Sequence, residues 1–302
     1  MIKLFEKVIK EHLAKYLAED NFPLSYLKFS TVTSGSGLND KVIFLVFKNH
    51  ASLPFLCLKT VRNYEAKQAI LRHFHNLKKL NVLTAESSYA RLFAQALYLH
   101  DDGKNIFCIE TACLGERIKL NKERLKIVLA DYLGFQEYLA KRDNSPMRDI
   151  KQLAEETAIK SGLNELDRHK LLEYITQKPP TSIKLPRIIQ HGDFTLDNLL
   201  WSKNGLCIID YDYVGNSDIP GFDLFGLLHR FDQADLSSLC KKYFPEYFKK
   251  IGGESLDDNY RGLLLLYHMT EYAQSKPHNS EDISFAQIIS DFEQLYPLTL
   301  FS

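Results

Sequence analysis

The spacing of apolar residues changes period several times along the chain. Over residues 1–18, Leu4, Phe5, Val8, Ile9, Leu13, Tyr16 and Leu17 recur at helical spacing, which predicts an amphipathic helix. Three strand-like runs follow, Leu27–Thr33, Lys41–Phe47 and Phe55–Val61, with a Gly-Ser stretch after the first and a turn through Asn49 to Pro54 after the second. Residues 64–80 return to a helical period through Ala66, Ala69, Ile70, Phe74, Leu77 and Leu80. Two more strands are predicted at Phe93–His100 and Asn105–Thr111, joined at Asp101-Asp102-Gly103. Beyond residue 120 the period is mostly helical. Leu125, Val128, Leu129, Tyr132, Leu133 and Leu139 mark one helix, and shorter ones cover 147–161 and 164–177 before Pro179-Pro180. Further helices are predicted near 234–250, 258–275 and 283–296. An antiparallel N-terminal sheet with a helix, followed by a mostly helical part, is an α+β pattern.

One segment breaks the helical second half. From Pro186 to Asp212 a short apolar strand at Ile188–Ile189 leads into a polar loop, His191 to Asn198. Leu199-Leu200-Trp201 and Leu206-Cys207-Ile208-Ile209 then flank Asn204-Gly205, a hairpin signal because both turn residues tolerate positive φ. Antiparallel pairing carries Asn198 and Asp210 to the same end of that hairpin, and Asp193 lies on the loop that feeds it. These are hard oxygen ligands of the kind Mg²⁺ prefers, with one carboxylate to spare for a proton.

The wording His-Gly-Asp-Phe-Thr-Leu-Asp-Asn, followed by Ile-Ile-Asp-Tyr-Asp, resembles the aminoglycoside phosphotransferase and choline kinase superfamily. The resemblance is sharpest over residues 186–226 and extends over most of the chain. It implies a two-lobed protein-kinase-like fold with an N-terminal nucleotide-binding lobe, 1–112, and a C-terminal catalytic and acceptor-binding lobe, 113–302. It implies ATP and Mg²⁺, with Asp193 as general base or orienter of the acceptor hydroxyl and Asn198 and Asp210 as metal ligands. Lys59, at the end of Phe55-Leu56-Cys57-Leu58-Lys59, takes the place of the phosphate-binding lysine, under the loop that holds Gly35, Ser36 and Gly37. Glu110, Thr111, Ala112 and Cys113 correspond to the connecting strand whose backbone binds adenine. His191 reads as structural, Asp197 as pointing away, Asp212 as facing the acceptor or a second metal, and Asp223 as a helix N-cap bracing the loop. Glu271 and Tyr272 fall on a helix that lines the acceptor pocket in the family.

One feature departs from the family. Kinase-like folds pair the strand lysine with a Glu on the following helix. Here the acid on that helix is Glu65, in its first turn, while the position about two turns along holds His73. The ion pair is therefore open at this point: Lys59 either pairs with Glu65 or lacks an acidic partner, with His73 holding the place without the charge.

Composition narrows the rest. Among 302 residues, 38 Lys+Arg balance 38 Asp+Glu, so the basic footprint of a nucleic-acid binder is missing. The longest tempting apolar run is Leu263–Leu266, far short of a membrane span, and Met1–Lys7 lacks a signal peptide's apolar segment. Five cysteines form no paired spacing; Cys57, Cys108 and Cys207 read as small core residues, which suggests a reducing, cytoplasmic setting. The expected activity is transfer of the γ-phosphoryl group of ATP to a hydroxyl of a small molecule: choline, ethanolamine, an aminoglycoside, a sugar or homoserine. The missing helix Glu motivates one alternative, a nucleotide-binding regulator without transfer. A protein kinase is the other, and it lacks support because no activation-segment signature follows Asp210.

Overall fold

The computed structural model describes residues 2–13, 16, 27–33, 40–48, 51–118, 122–142, 146–176, 184–231, 233–252, 260–275 and 284–296. In chain order the elements are α1 (Ile2–His12), β1 (Leu27–Thr33), β2 (Lys41–Lys48), β3 (Leu56–Val61), α2 (Lys67–Thr84), β4 (Ala96–Asp101), β5 (Ile106–Thr111) and β6 (Glu116–Arg117). They continue with α3 (Lys122–Arg142), β7 (Arg148–Asp149), α4 (Ile150–Lys160), α5 (Glu165–Thr176), β8 (Lys184–Leu185), β9 (Leu199–Ser202) and β10 (Gly205–Ile208). The chain closes with α6 (Phe222–Leu228), α7 (Gln233–Lys250), α8 (Tyr260–Ser275) and α9 (Phe285–Leu295). Two compact units result. The first comprises Met1–Leu120 and Leu196–Asp212, the second Asn121–Thr195 and Tyr213–Ser302.

The first unit is built on a five-stranded sheet in the order β1-β2-β3-β5-β4, with antiparallel neighbours throughout. Strand alternation sends Leu56 and Leu58 of β3 and Phe107 and Ile109 of β5 to one face, where Phe5, Val8 and Ile9 of α1 close the core. Val61, Ile106 and Cys108 face the other way and pack against Ile70 of α2. On α2 the buried positions are Ile70, His73, Leu77, Leu80 and Thr84, a stripe at spacings of three and four that carries one polar ring into the interior. β4 starts three residues later than its apolar run suggests, because Ser88–Leu92 winds into a 3₁₀ turn capped by the Ser87 hydroxyl.

A second sheet in this unit, β10-β9-β6, contains the predicted hairpin. Leu199 pairs with Ile208 and Leu200 with Cys207, while Glu116 and Arg117 of β6 pair with Trp201 and Leu200. The close approach depends on Gly115, where a Cβ would lie 2.7 Å from the Trp201 carbonyl oxygen. The hairpin therefore belongs to the unit that also contains the N-terminal sheet.

The second unit is helical apart from the short β7-β8 pair. Tyr132, Phe194, Phe225, Phe244, Tyr247 and Phe248 are among its fully buried side chains. Phe225 stacks on Phe244 at 4.3 Å between ring centroids, and Tyr132 packs on Phe194 at 4.7 Å. Among the described residues, no helix is long and apolar enough to cross a membrane.

Candidate active site

In the first unit, strand alternation determines which side chains meet. Lys41, Lys59 and Glu110 stand on β2, β3 and β5, on the sheet face covered by α2. Lys59 pairs across the ladder with Cys108, so Glu110, two residues on, is its diagonal neighbour. The Lys59 ammonium lies 2.9 Å from Glu110 Oε1 and 3.0 Å from His73 Nε2. His73 Nε2 lies 2.7 Å from Glu110 Oε2, and His73 is fully buried. Burial works against both charges. The Glu110 carboxylate nevertheless holds the Lys59 ammonium well above its usual range, and Lys59 and His73 hold Glu110 below the usual carboxylate range. The Tyr211 ring adds a face 5.8 Å from Lys59 Nζ.

The exit of the hairpin comes to the same network. Asp210 has φ 65°, the left-handed region, and is alone in this among the described non-glycine residues. Its neighbour Tyr211 is buried, donates to the Ile208 carbonyl at 2.6 Å and accepts the Ala94 N–H at 3.1 Å. Asn76, three residues along α2 from His73, donates to the carbonyls of Tyr211 and Asp212 at 2.8 and 3.3 Å. The Lys41 ammonium sits 3.0 Å from Asp210 Oδ1 and 2.6 Å from Asp212 Oδ2. His73 Nδ1 lies 3.3 Å from Asp212 Oδ1. Burial raises the Asp212 carboxyl, but His73 and Lys41 outweigh it and bring it to about 2.

Asn198 closes a 3₁₀ turn at the hairpin entrance, and its carbonyl accepts the Ile209 N–H at 2.9 Å. Asn198 and Asp210 therefore lie at one end of the hairpin, as the Asn-Gly turn implies. Donor atoms of His73, Asp210 and Asp212 lie within 4.8 Å of one another. The hard oxygens of Asp210 and Asp212, with the Asn198 amide at the same hairpin end, fit a Mg²⁺ ion, whose chemistry is to neutralise charge on phosphate oxygens.

In the second unit the loop carrying Asp193 is held from below. Asp223 accepts the N–H groups of His191 and Gly192 at 2.6 and 2.8 Å. Burial raises the Asp223 carboxyl to about 7 against the pull of those two amides, with the Asp193 charge adding to the rise. Gly192 has φ 84°, and a Cβ there would collide with the Tyr213 backbone. Gln190 anchors the loop further. Its amide oxygen accepts from Tyr132 and from the Asp223 N–H, its amide nitrogen donates to Gln136, and its carbonyl accepts the Gly215 N–H. The Tyr247 hydroxyl donates to Gln136 and accepts the Gly221 N–H. Asp193 lines a recess of about 20 Å³ with Gly226, Tyr267 and Glu271. Glu271 is exposed on α8. Crowding by protein, then the Asp193 charge, hold its carboxyl above the usual range, and solvent screening tempers that repulsion.

The chain matches the phosphotransferase enzyme family over residues 109–261, just over half its length. It belongs to that family. Solved structures that share the fold include three aminoglycoside phosphotransferases. One is a thermostable mutant of the aminoglycoside phosphotransferase APH(4)-Ia in a ternary complex with ADP and hygromycin B, at 12% identity and a TM-score of 0.54, covering 95% of this chain and 97% of that one. Another is APH(2″)-IIia in complex with GDP and kanamycin, at 14% identity and 0.52, covering 93% and 98%. The third is a mutant aminoglycoside 2′-phosphotransferase-IIIa in complex with GDP, at 14% identity and 0.50, covering 89% and 92%. The kinase-like fold expected from the motifs is thus present. No curated protein sequence matches this one.

Two readings of this phosphotransferase change with the structure in hand, the partner of Lys59 and the state of Cys207. Glu65 is not the partner of Lys59. It is exposed in the 3₁₀ turn Tyr64–Ala66, before α2 begins, whereas Glu110 arrives on the face of Lys59 by strand alternation. The connecting strand at 110–113 has backbone partners of its own. The Thr111 and Ala112 N–H groups donate to the Gln95 and Phe55 carbonyls, and Glu110 pairs with strands on both sides. Cys113 is joined to Cys207 in a disulfide across a Cα–Cα distance of 6.2 Å, so Cys207 is not a free core thiol. The two cysteines are 94 residues apart in sequence. Asp197 is exposed and pairs with Arg117 at 3.3 Å. Gly35, Ser36 and Gly37 lie outside the described residues.

Lys41, Asn76, Gln136 and Gln190 are not among the site residues expected from the sequence. A signal existed for Gln136, which falls four residues after Tyr132 on the buried stripe of α3. Lys41 had none, since a lysine at a strand start is ordinary.

Proposed function

We propose that this phosphotransferase moves the γ-phosphoryl group of ATP to a hydroxyl of a small molecule that carries a positive charge, an amino alcohol or an aminoglycoside. The observation that carries this reading is Asp193, which faces a recess shared with Glu271 on a loop whose amides are held by Asp223. A carboxylate so placed accepts or orients a hydroxyl proton, and a second carboxylate beside it favours a cationic acceptor. On the nucleotide side, Lys59 is the phosphate contact, and Asn198 and Asp210 are the metal ligands. Such transfer needs positioning and charge neutralisation more than covalent chemistry. Glu110 supplies an acid to Lys59, which weighs against the regulator without transfer that the missing helix Glu had suggested.

The test is ATP turnover with and without Mg²⁺ over choline, ethanolamine, aminoglycosides, homoserine and hexoses. Stimulation by an amine-bearing acceptor, with a rate roughly 10²–10⁴ lower in Asp193→Asn, is expected. Stimulation by hexoses alone would overturn the cationic assignment, and ATP binding without turnover on any acceptor would restore the regulator.

A further inference from the structure

We infer that Glu110, acting through Lys59 with His73 as its bridge, does in this chain what a carboxylate on α2 does in kinase-like folds: it holds the phosphate lysine in place. The inference rests on the phosphoryl-transfer reading above. The sequence of α2 contains no acid at all, so the ion pair cannot be completed from that helix. The structure completes it from the sheet. Glu110 uses Oε1 for Lys59 and Oε2 for His73. His73 occupies the buried helix stripe and presents its other nitrogen to Asp212. Lys41 then links Asp212 to Asp210. An unbroken line of contacts thus runs from the phosphate lysine through Glu110, His73, Asp212 and Lys41 to Asp210, with one histidine at its middle.

Moving the acid from helix to strand has a physical consequence. In kinase-like folds the lysine–glutamate pair forms only when the helix is correctly placed, and helix position thereby controls activity. Glu110 lies on β5 between β3 and β4, paired with Cys57 on one side and Ala96 on the other. A strand bonded on both edges does not swing. The Lys59–Glu110 contact is therefore built into the sheet, and α2 contributes only the His73 bridge. Glu110 is a positioning residue for Lys59.

Three readouts on the full chain test this: acetylation of Lys59 followed by mass spectrometry, calorimetric binding of ATP with Mg²⁺, and steady-state kinetics. The first needs no nucleotide, so it judges the ion pair whether or not the phosphoryl-transfer reading survives. Glu110→Gln is expected to raise Lys59 labelling and weaken ATP binding on the order of tenfold, with kcat reduced, the loss of one buried charge-assisted contact. The double variant Glu110→Gln/His73→Glu returns the acid to α2 and is expected to restore both labelling protection and binding. A Glu110→Gln protein that is less stable, yet labels at Lys59 and binds ATP like the parent, would reduce Glu110 to a structural role and overturn the inference. If Glu110→Gln does not fold, the double variant decides: recovered ATP binding upholds the inference, and its absence overturns it.

Discussion

Asp223 accepts the N–H of Gly192 at 2.8 Å while its second oxygen takes the N–H of His191. One buried carboxylate thus fixes two successive amides of the loop that carries Asp193. Asp223→Asn keeps the shape but turns one acceptor into a donor facing an N–H. A stability loss of about 1–3 kcal/mol is expected, the cost of a buried donor left unpaired. Urea denaturation of the two proteins measures it. Turnover should fall further than the folded fraction does, since the Asp193 loop loses its brace.

The same carboxyl makes stability depend on pH. Its pKa in the folded chain is about 7, against about 3.9 for an unfolded Asp. The folded state therefore binds more protons across that interval, and stability falls as pH rises from about 4 through 7. Unfolding midpoints at pH 5 and pH 7.5 should show the decline. Asp223→Asn should remove most of it; an unchanged slope would assign the effect to another group. Glu110 and Asp212 act in the opposite sense: both are depressed in the folded chain, so their contribution is complete above about pH 4 and is lost as pH falls toward 2.

Lys41 bridges Asp210 and Asp212 with one ammonium. Lys41→Met leaves two carboxylates facing each other with less compensation. The variant is expected to have a lower Tm than the parent in chelator and to gain more from added Mg²⁺, because a cation that binds the folded state stabilises it by mass action. Equal Mg²⁺ shifts in the two proteins would show that the metal does not bind at these carboxylates.

Gly192 combines a φ of 84° with a Cβ position blocked by the Tyr213 backbone. Gly192→Ala suffers both penalties, and a loss above roughly 2 kcal/mol is expected from the strained backbone and the overlap together. Thermal unfolding checks it. Gly103→Ala also carries a positive φ but meets nothing within 4 Å, so its smaller loss calibrates the backbone share.

Much of the site was legible because its parts are local. The hairpin that carries Asn198 and Asp210 to one end follows from Asn204-Gly205 between two apolar runs, and β9 and β10 pair in that register. Lys59 was legible as a cation at the end of an apolar strand. Its partner was not. Glu65, the one acid the sequence offered nearby, is close to Lys59 in sequence, but the turn Tyr64–Ala66 faces it outward. The partner that exists, Glu110, lies on a strand 51 positions away, brought alongside by the β3–β5 pairing. The Cys113–Cys207 bridge was hidden for the same reason, since nothing in the spacing of five cysteines announces that β6 and the hairpin share a sheet.

The sequence by itself determined the periods, hence the helices and strands, and the short motif that names the chemistry, since turn residues and alternation act over a few positions. Only the tertiary structure decided which acid neutralises Lys59, which cation bridges Asp210 and Asp212, and to which unit the hairpin belongs. Those outcomes depend on the order and register of strands distant in sequence, where a shift of one residue would turn Glu110 to the opposite face of the sheet.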